Sequence, residues 1–140
     1  MQLKVVTPEK VIYDGEIDEL IIPTVTGEIA VLPHHIDLLT QVVPGEMTIK
    51  HKGKDQHVAV TGGFLQIVDG VLTLLSDYAV RSEEIDAKKA LEAQKRAEET
   101  LKKKKEDLTE RDFAVAQADM RRAILELKVA NKRRSHRTQL

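Results

Sequence analysis

Five clusters in the sequence hold residue types that do chemistry: His34-His35, Gly62-Gly63, Asp86, the run Lys102 to Lys105, and Lys132-Arg133-Arg134 with Arg137. Adjacent histidines at a strand end point to opposite faces. Neither they nor the other histidines have the spacing of a metal-ligand set, so a surface or interface role is the simpler reading and no metal is expected. Gly62-Gly63 could cradle a phosphate, but no Gly-x-Gly-x-x-Gly or Walker pattern surrounds it; a bulge or close strand packing explains the pair. Asp86 is either a carboxylate that positions a ligand or an acid in the first turn of a helix, where the dipole favours it. The lysine run is either a solvated helix end or a nucleic-acid contact. No aromatic lies near either basic cluster to stack a base, so nucleic acid is not an expected partner. There is no cysteine, which excludes thiolate metal sites and a cysteine nucleophile. No Ser-His-Asp or paired-carboxylate arrangement emerges from the spacing, and no catalytic residue is expected.

The elements that hold these clusters fall into two kinds. Hydrophobic residues make up 41% of the 140 residues, aromatics only 3%, and tryptophan is absent. A core must therefore be built from Val, Ile and Leu. No apolar run reaches the roughly 18 residues that span a bilayer, and the first residues lack the apolar stretch of a signal peptide. The expectation is a soluble, cytoplasmic chain.

Short β-prone runs fill the first half. They are Leu3–Thr7, Val11–Tyr13 ending at Asp14-Gly15, Ile17–Pro23, Ile29–Leu32, Leu38–Val43, Met47–His51, Val58–Val60, Phe64–Val68 and Val71–Leu75. Asp69-Gly70 between two such runs is the strongest hairpin signal, and Lys52-Gly53 marks a second hairpin tip. This spacing argues for a sandwich or barrel.

After Gly70 there is neither Gly nor Pro, and from Ser82 good helix formers dominate. Ser82 is a candidate cap, with Glu83 and Glu84 in the first turn. A helix over Ile85 to Lys105 would be about 31 Å long, with an inner stripe of Ala90, Ala93, Ala97 and Leu101. A break is expected at Glu106 to Thr109, with Thr109 capping a second helix and Asp112 at the capping-box position. That helix repeats Phe113, Ala116, Met120, Ala123, Leu127 and Ala130, a coiled-coil-like seam. Asn131 to Leu140 is expected to fray. The predicted architecture is α+β: a β-sandwich head over residues 1–84, then an antiparallel two-helix hairpin over 85–140. Alanine contacts gain little, because burial contributes about 0.8 kcal/mol per CH₂, so the hairpin should be marginal and detachable.

Charge divides the same way. Residues 1–84 hold 6 Lys/Arg and 13 Asp/Glu; residues 85–140 hold 16 and 10. Opposite signs predict different partners for the two halves and a mutual attraction that salt weakens.

Several segments resemble the epsilon family of F-type ATP synthases. They are Leu3-Lys4-Val5-Val6-Thr7-Pro8-Glu9 with Tyr13-Asp14-Gly15, Gly27-Glu28-Ile29-Ala30-Val31-Leu32-Pro33-His34-His35, Leu38-Leu39-Thr40, Pro44-Gly45, Thr61-Gly62-Gly63-Phe64-Leu65 and Val71 with Thr73-Leu74-Leu75. His34 stands where that family usually has glycine. The resemblance covers nearly the whole chain. It implies a ten-stranded sandwich, bound to a gamma subunit and to the ring of c subunits at the cytoplasmic face of a bacterial membrane. By position, Glu28 and His35 match the c-ring-facing end. It further implies a tail that leaves its hairpin, enters the catalytic alpha/beta hexamer and blocks ATP hydrolysis. Arg121, Arg122, Lys128, Lys132, Arg133 and Arg134 are then the basic contacts to acidic surface.

Many such proteins bind ATP at the hairpin through Ile/Leu-Asp-x-x-Arg-Ala. Here the segment reads Ile85-Asp86-Ala87-Lys88-Lys89-Ala90. Lys89 keeps the charge of the usual Arg but lacks its planar fork. Arg96 and Arg122 also match basic positions, whereas Val115 and Glu126 replace others. The resemblance requires no cofactor and offers ATP as a regulatory ligand. The alternative classes are a basic-tailed nucleic-acid-binding protein and a coiled-coil adaptor.

Overall fold

The computed structural model describes residues 1–103 and 108–138, with side chains to Lys132. Contacts divide these residues into two units, Met1–Ser82 and Glu83 onward.

The first unit is a ten-stranded sheet folded on itself as a sandwich: β1 (Gln2–Val6), β2 (Val11–Glu16), β3 (Glu19–Thr24), β4 (Gly27–Val31), β5 (Leu38–Val42), β6 (Gly45–His51), β7 (Lys54–Val60), β8 (Gly63–Val68), β9 (Val71–Leu75) and β10 (Ala79–Arg81). Their order is β10-β7-β6-β3-β5-β8-β9-β1-β2, with β4 paired to β3. All pairs are antiparallel except β1 with β9. Alternation places Leu3 and Val5, Leu20 and Ile22, Met47 and Ile49, Leu65 and Ile67, and Leu72 and Leu74 in one fully buried core. Each contributes roughly 1.5–3 kcal/mol by leaving water. Nine strands follow the β-prone runs; the tenth, Ala79–Arg81, is too short for periodicity to reveal.

Both predicted hairpin tips form. Asp69 (φ 49°) with Gly70 (φ 76°), and Lys52 (φ 50°) with Gly53 (φ 75°), turn the chain in two residues with both φ angles positive, the twist that matches flanking strands. Asp37 Oδ1 accepts from the Asp69 N–H at 2.9 Å, tying the first tip to the β4–β5 loop.

Asp14-Gly15 is not a turn. Both residues continue β2, opposite Lys4 and Leu3; ladder bonds to β1 outweigh the local turn preference. Gly62-Gly63 is a close-packed strand start. A Cβ on Gly63, at φ 140°, would run into the Leu75 carbonyl, and Ser76 Oγ donates to the Gly62 carbonyl.

The second unit is a pair of packed helices, α1 (Ala87–Leu101) and α2 (Glu110–Thr138). α1 is shorter at both ends than the sequence suggested. Ser82 does not cap it: Ser82–Glu84 form a single 3-10 turn, and Asp86 is the cap. The helix stops at Lys102, whose N–H reaches the Glu98 carbonyl at 3.0 Å. Lys104, Lys105, Glu106 and Asp107 lie outside the described residues. Thr109 caps α2 as expected, accepting from the Asp112 N–H at 3.1 Å. Ala90 and Ala97 on α1 and Ala116, Ala123, Val129 and Ala130 on α2 are buried, while Ala93, Leu101, Met120 and Leu127 are half-buried. Phe113 departs from the expected seam: it is 40% exposed, one turn from the α2 start. α2 also runs on to Thr138 where fraying was expected; its interior has neither Gly nor Pro to stop it.

Two backbone positions give a paired prediction. Gly63→Ala should lower urea-denaturation stability by at least about 2 kcal/mol, from a positive φ and a carbonyl clash. His34 holds φ 67°, so His34→Gly should raise stability by roughly 0.5–1 kcal/mol. An unaffected Gly63→Ala protein would overturn the packing described.

Candidate partner interfaces

Two surfaces of the head leave large apolar side chains in water. The first is the free edge of β4 with its flanking loops. β4 pairs only with β3. At the end beside the β3–β4 turn stand Val25 and Glu28; Glu28 is exposed opposite Pro23. The loop at the other end holds Leu32, His34, His35 and Ile36, and Ile36 is 78% exposed. This loop begins with a turn closed by the His35 N–H to the Leu32 carbonyl at 3.1 Å. Pro33 occupies its second position and His34 the third, where a positive φ is needed, which is why glycine suits position 34. His35 Nδ1 donates to the Ile36 carbonyl at 2.7 Å, which fixes the ring and leaves Nε2 for a partner. Glu28 and His35 therefore sit at the two ends of β4. Among the described residues no group of three His, Asp or Glu side chains could hold a metal.

The second surface crosses four strands. Phe64 on β8 lies opposite Leu75 on β9, Leu75 beside Val6 on β1, and Val6 opposite Val11 on β2. These side chains share the outward face, a row about 14 Å wide at strand spacing. Phe64 and Leu75 are each 56% exposed, and Leu39 on neighbouring β5 is 71% exposed. Contiguous apolar exposure of this kind marks contact surfaces. No sequence signal announces it, because alternation alone does not say which strands lie side by side.

The hairpin carries the remaining candidates. Asp86 Oδ1 accepts from the N–H groups of Lys88 and Lys89 at 3.1 and 3.3 Å. Of its two readings, the geometry realises the helix one, as a cap just ahead of the first turn. Ile85 and Ala90 are buried. Lys89 and Arg96 are exposed on α1, seven residues apart and thus on one face. On α2, Arg122 Nε meets Glu126 Oε1 at 3.6 Å. The one matching arginine on that helix is thereby engaged by the acid that replaces another. Arg121, Lys128 and Lys132 are exposed; the side chains of Arg133 and Arg134 lie outside the described residues. A shallow groove between the helices has Ile124 and Leu127 as its floor, with Gln94, Lys128, Asn131 and Lys132 around it. None of the residues that the ATP pattern names lines it. No helix among the described residues is long and apolar enough to cross a membrane.

Comparisons with known proteins agree with this division. Residues 1–82 match the family model described as ATP synthase, Delta/Epsilon chain, beta-sandwich domain, and residues 83–131 match ATP synthase, Delta/Epsilon chain, long alpha-helix domain. The chain is 39% identical over 136 residues to the ATP synthase epsilon chain of Dehalococcoides mccartyi, covering 97% of this chain and 96% of the relative. It is 39% identical over 140 residues to that of Laribacter hongkongensis, covering 97% and 98%. Its fold superposes on a chain of the Euglena gracilis mitochondrial ATP synthase OSCP/F1/c-ring structure with a TM-score of 0.69 and 25% identity, over 85% of this chain and 74% of that one. A chain of the Tetrahymena thermophila mitochondrial ATP synthase central stalk/c-ring structure shares the fold at a TM-score of 0.56 and 15% identity, over 93% and 96%.

Asp86 gives this surface its own test. Asp86→Ala should weaken the hairpin by about 1 kcal/mol, and Asp86→Asn should change it little, since both amide and carboxylate cap well. Hydrogen exchange over α1 reads both. Equal exchange in Asp86→Ala and the parent would remove the cap from the account.

Proposed function

The chain belongs to the ATP synthase Delta/Epsilon chain family, a family of non-catalytic central-stalk subunits, and on that premise we propose that its two units divide coupling and restraint between them. The head joins the rotor of a proton-translocating enzyme. The outward row Val11, Val6, Leu75 and Phe64 is the surface we assign to the gamma subunit, and the β4 edge with Glu28, His35 and Ile36 the one we assign to the c ring. The subunit then works at the cytoplasmic face of the bacterial membrane as a peripheral component.

The tail restrains ATP hydrolysis. In this reading the helices part from their hairpin and enter the catalytic alpha/beta hexamer. Arg121, Arg122, Lys128 and Lys132, together with Arg133 and Arg134, then meet acidic surface. The observation that carries the reading is the seam: its buried members are mostly alanines. Little free energy opposes separation of such helices, so a second docking site can compete for them. Coiled-coil adaptors need a seam that commits two helices to each other, which this one does not supply.

Truncation after Glu84 tests the division directly. The reconstituted complex should assemble and show raised ATPase activity, because the head keeps its contacts and the restraint is gone. Phe64→Ser with Leu75→Ser in the full chain should weaken capture of gamma at least tenfold, since roughly 1.5–3 kcal/mol of burial rests on each ring or branch. Unchanged ATPase activity after truncation would remove the inhibitory role. Undiminished capture would move the gamma contact elsewhere.

We assign ATP to the hairpin as a regulatory ligand that favours the closed pair. A ligand at a hundred times its dissociation constant stabilises the form it binds by about 2.7 kcal/mol, enough to bias a weak seam. Lys89 and the engaged Arg122 argue for loose binding in this chain. Lys89→Arg combined with Glu126→Gln should therefore tighten ATP at least tenfold by calorimetric titration. No heat from either protein would end the nucleotide proposal and leave the mechanical one standing.

A further inference from the structure

The last strand of the head is its shortest. β10 has three residues and pairs with β7 alone, Ala79 with Val60, Val80 with Ala59 and Arg81 with Val58. The unit ends one residue later, at Ser82. Three ladder pairs at the end of a folded unit normally fray. At the opposite end of the strand order, β2 contains an irregularity. Its register with β1 steps from Val5–Tyr13 to Val6–Val11, so Ile12 has no partner across the ladder. The Ile12 side chain is buried in the core. Its carbonyl is claimed from outside the ladder: Arg81 Nε and Nη2 donate to it at 3.1 and 2.7 Å. The same guanidinium lies 5.6 Å from the centre of the Tyr13 ring. Tyr13 is fixed in turn, its hydroxyl donating to the Glu16 carbonyl at 3.1 Å.

We propose that Arg81 is a latch that holds β10 to the bulge of β2, so that rearrangement of the tail stops at Ser82 and does not unzip the head. A bulge is normally a feature with a use; here it supplies the one carbonyl a guanidinium can take from two nitrogens at once. Charge-assisted bonds of this kind are among the stronger ones a part-buried site offers, and stacking on the ring adds to them. The latch replaces with a side chain the backbone ladder that β10 and β2 do not form. It ties residues 69 apart in sequence, so pulling on the chain beyond Ser82 loads the first hairpin and the core beneath it, not three ladder pairs alone. The inference rests on the proposed mobility of the tail, but it concerns where that mobility ends.

Hydrogen exchange of the full-length chain separates the two. In the parent protein the α1 and α2 amides should exchange faster than those of β8 and β9, which tests mobility. The amides of Ala79 to Arg81 should be protected nearly as well as β8 and β9, which tests the latch. Arg81→Ala should lose roughly tenfold or more of the β10 protection while β8 and β9 keep theirs, and Arg81→Lys should fall between. Three outcomes would overturn the latch: β10 exchanging at the hairpin's rate in the parent, β10 unchanged in Arg81→Ala, or an equal loss of protection throughout the head. Should Arg81→Ala not fold, the parent profile and Arg81→Lys decide the matter in the same way.

Discussion

Apolar burial in this protein is unequal, and the rest of its behaviour depends on that inequality. The head buries branched side chains on facing strands, with Leu3, Leu20, Ile22, Leu65 and Leu74 wholly out of water. The hairpin buries mostly methyl groups. Per residue the first kind of contact is worth two to three times the second on a transfer scale. A densely packed platform and a weakly packed helix pair follow from side-chain size before any partner is considered. The absence of tryptophan and the scarcity of phenylalanine sharpen the division. The sandwich reaches a closed core chiefly from Val, Ile, Leu and Met, with Tyr13 and Ala79, because ten short strands supply enough inward positions.

Strand geometry then lets the outside of the platform be chosen independently of the inside. Successive residues point to opposite faces, so Leu65, Ile67, Leu72 and Leu74 can be core while Phe64 and Leu75 stay in water. Nothing in folding asks for apolar residues at those outward positions. Their alignment across β8, β9, β1 and β2 is best understood as selection for a contact, and the same argument applies to Ile36 beside the β4 edge. The proposed rotor assignment gives each of two partners one of these surfaces.

What the sequence disclosed, and what it withheld, follows the range of the forces involved. Asp69-Gly70 made a hairpin because both neighbouring runs had each other to pair with. Asp14-Gly15, the same dipeptide, made none, because β1 kept pairing with the chain beyond it; the deciding contact was not local. Thr109 was readable as a cap from its own neighbourhood. Ser82 read equally well, yet β10 and the 3-10 turn after it carried the helix start forward to Asp86. The seam alanines were legible from their spacing, whereas Phe113 fitted the spacing and still lies in water, since a repeat specifies a face and not what covers it. The apolar row and the Ile12 bulge were invisible. Each is a property of register, which arises only when strands far apart in sequence lie side by side.

Charge adds selectivity to a tail that packing leaves loosely held. The two halves of the chain carry opposite net charge, but at physiological ionic strength such fields fade within about 8 Å. Over longer distances the tail is guided little by the charge of any surface. Close to one, its exposed Arg121, Lys128 and Lys132 reward an acidic surface and penalise a basic one. Arg122 meets Glu126 within the helix, and a surface pair of that kind is worth only a few tenths of a kcal/mol. The proposed exchange of that partner for an intermolecular carboxylate would therefore change little in energy and much in location. In the proposed mechanism small alanines make separation of the helices inexpensive, and surface cations make the new location specific. Neither feature would suffice alone: a leucine seam with the same charges would stay closed, and an alanine seam without them would open onto no particular partner.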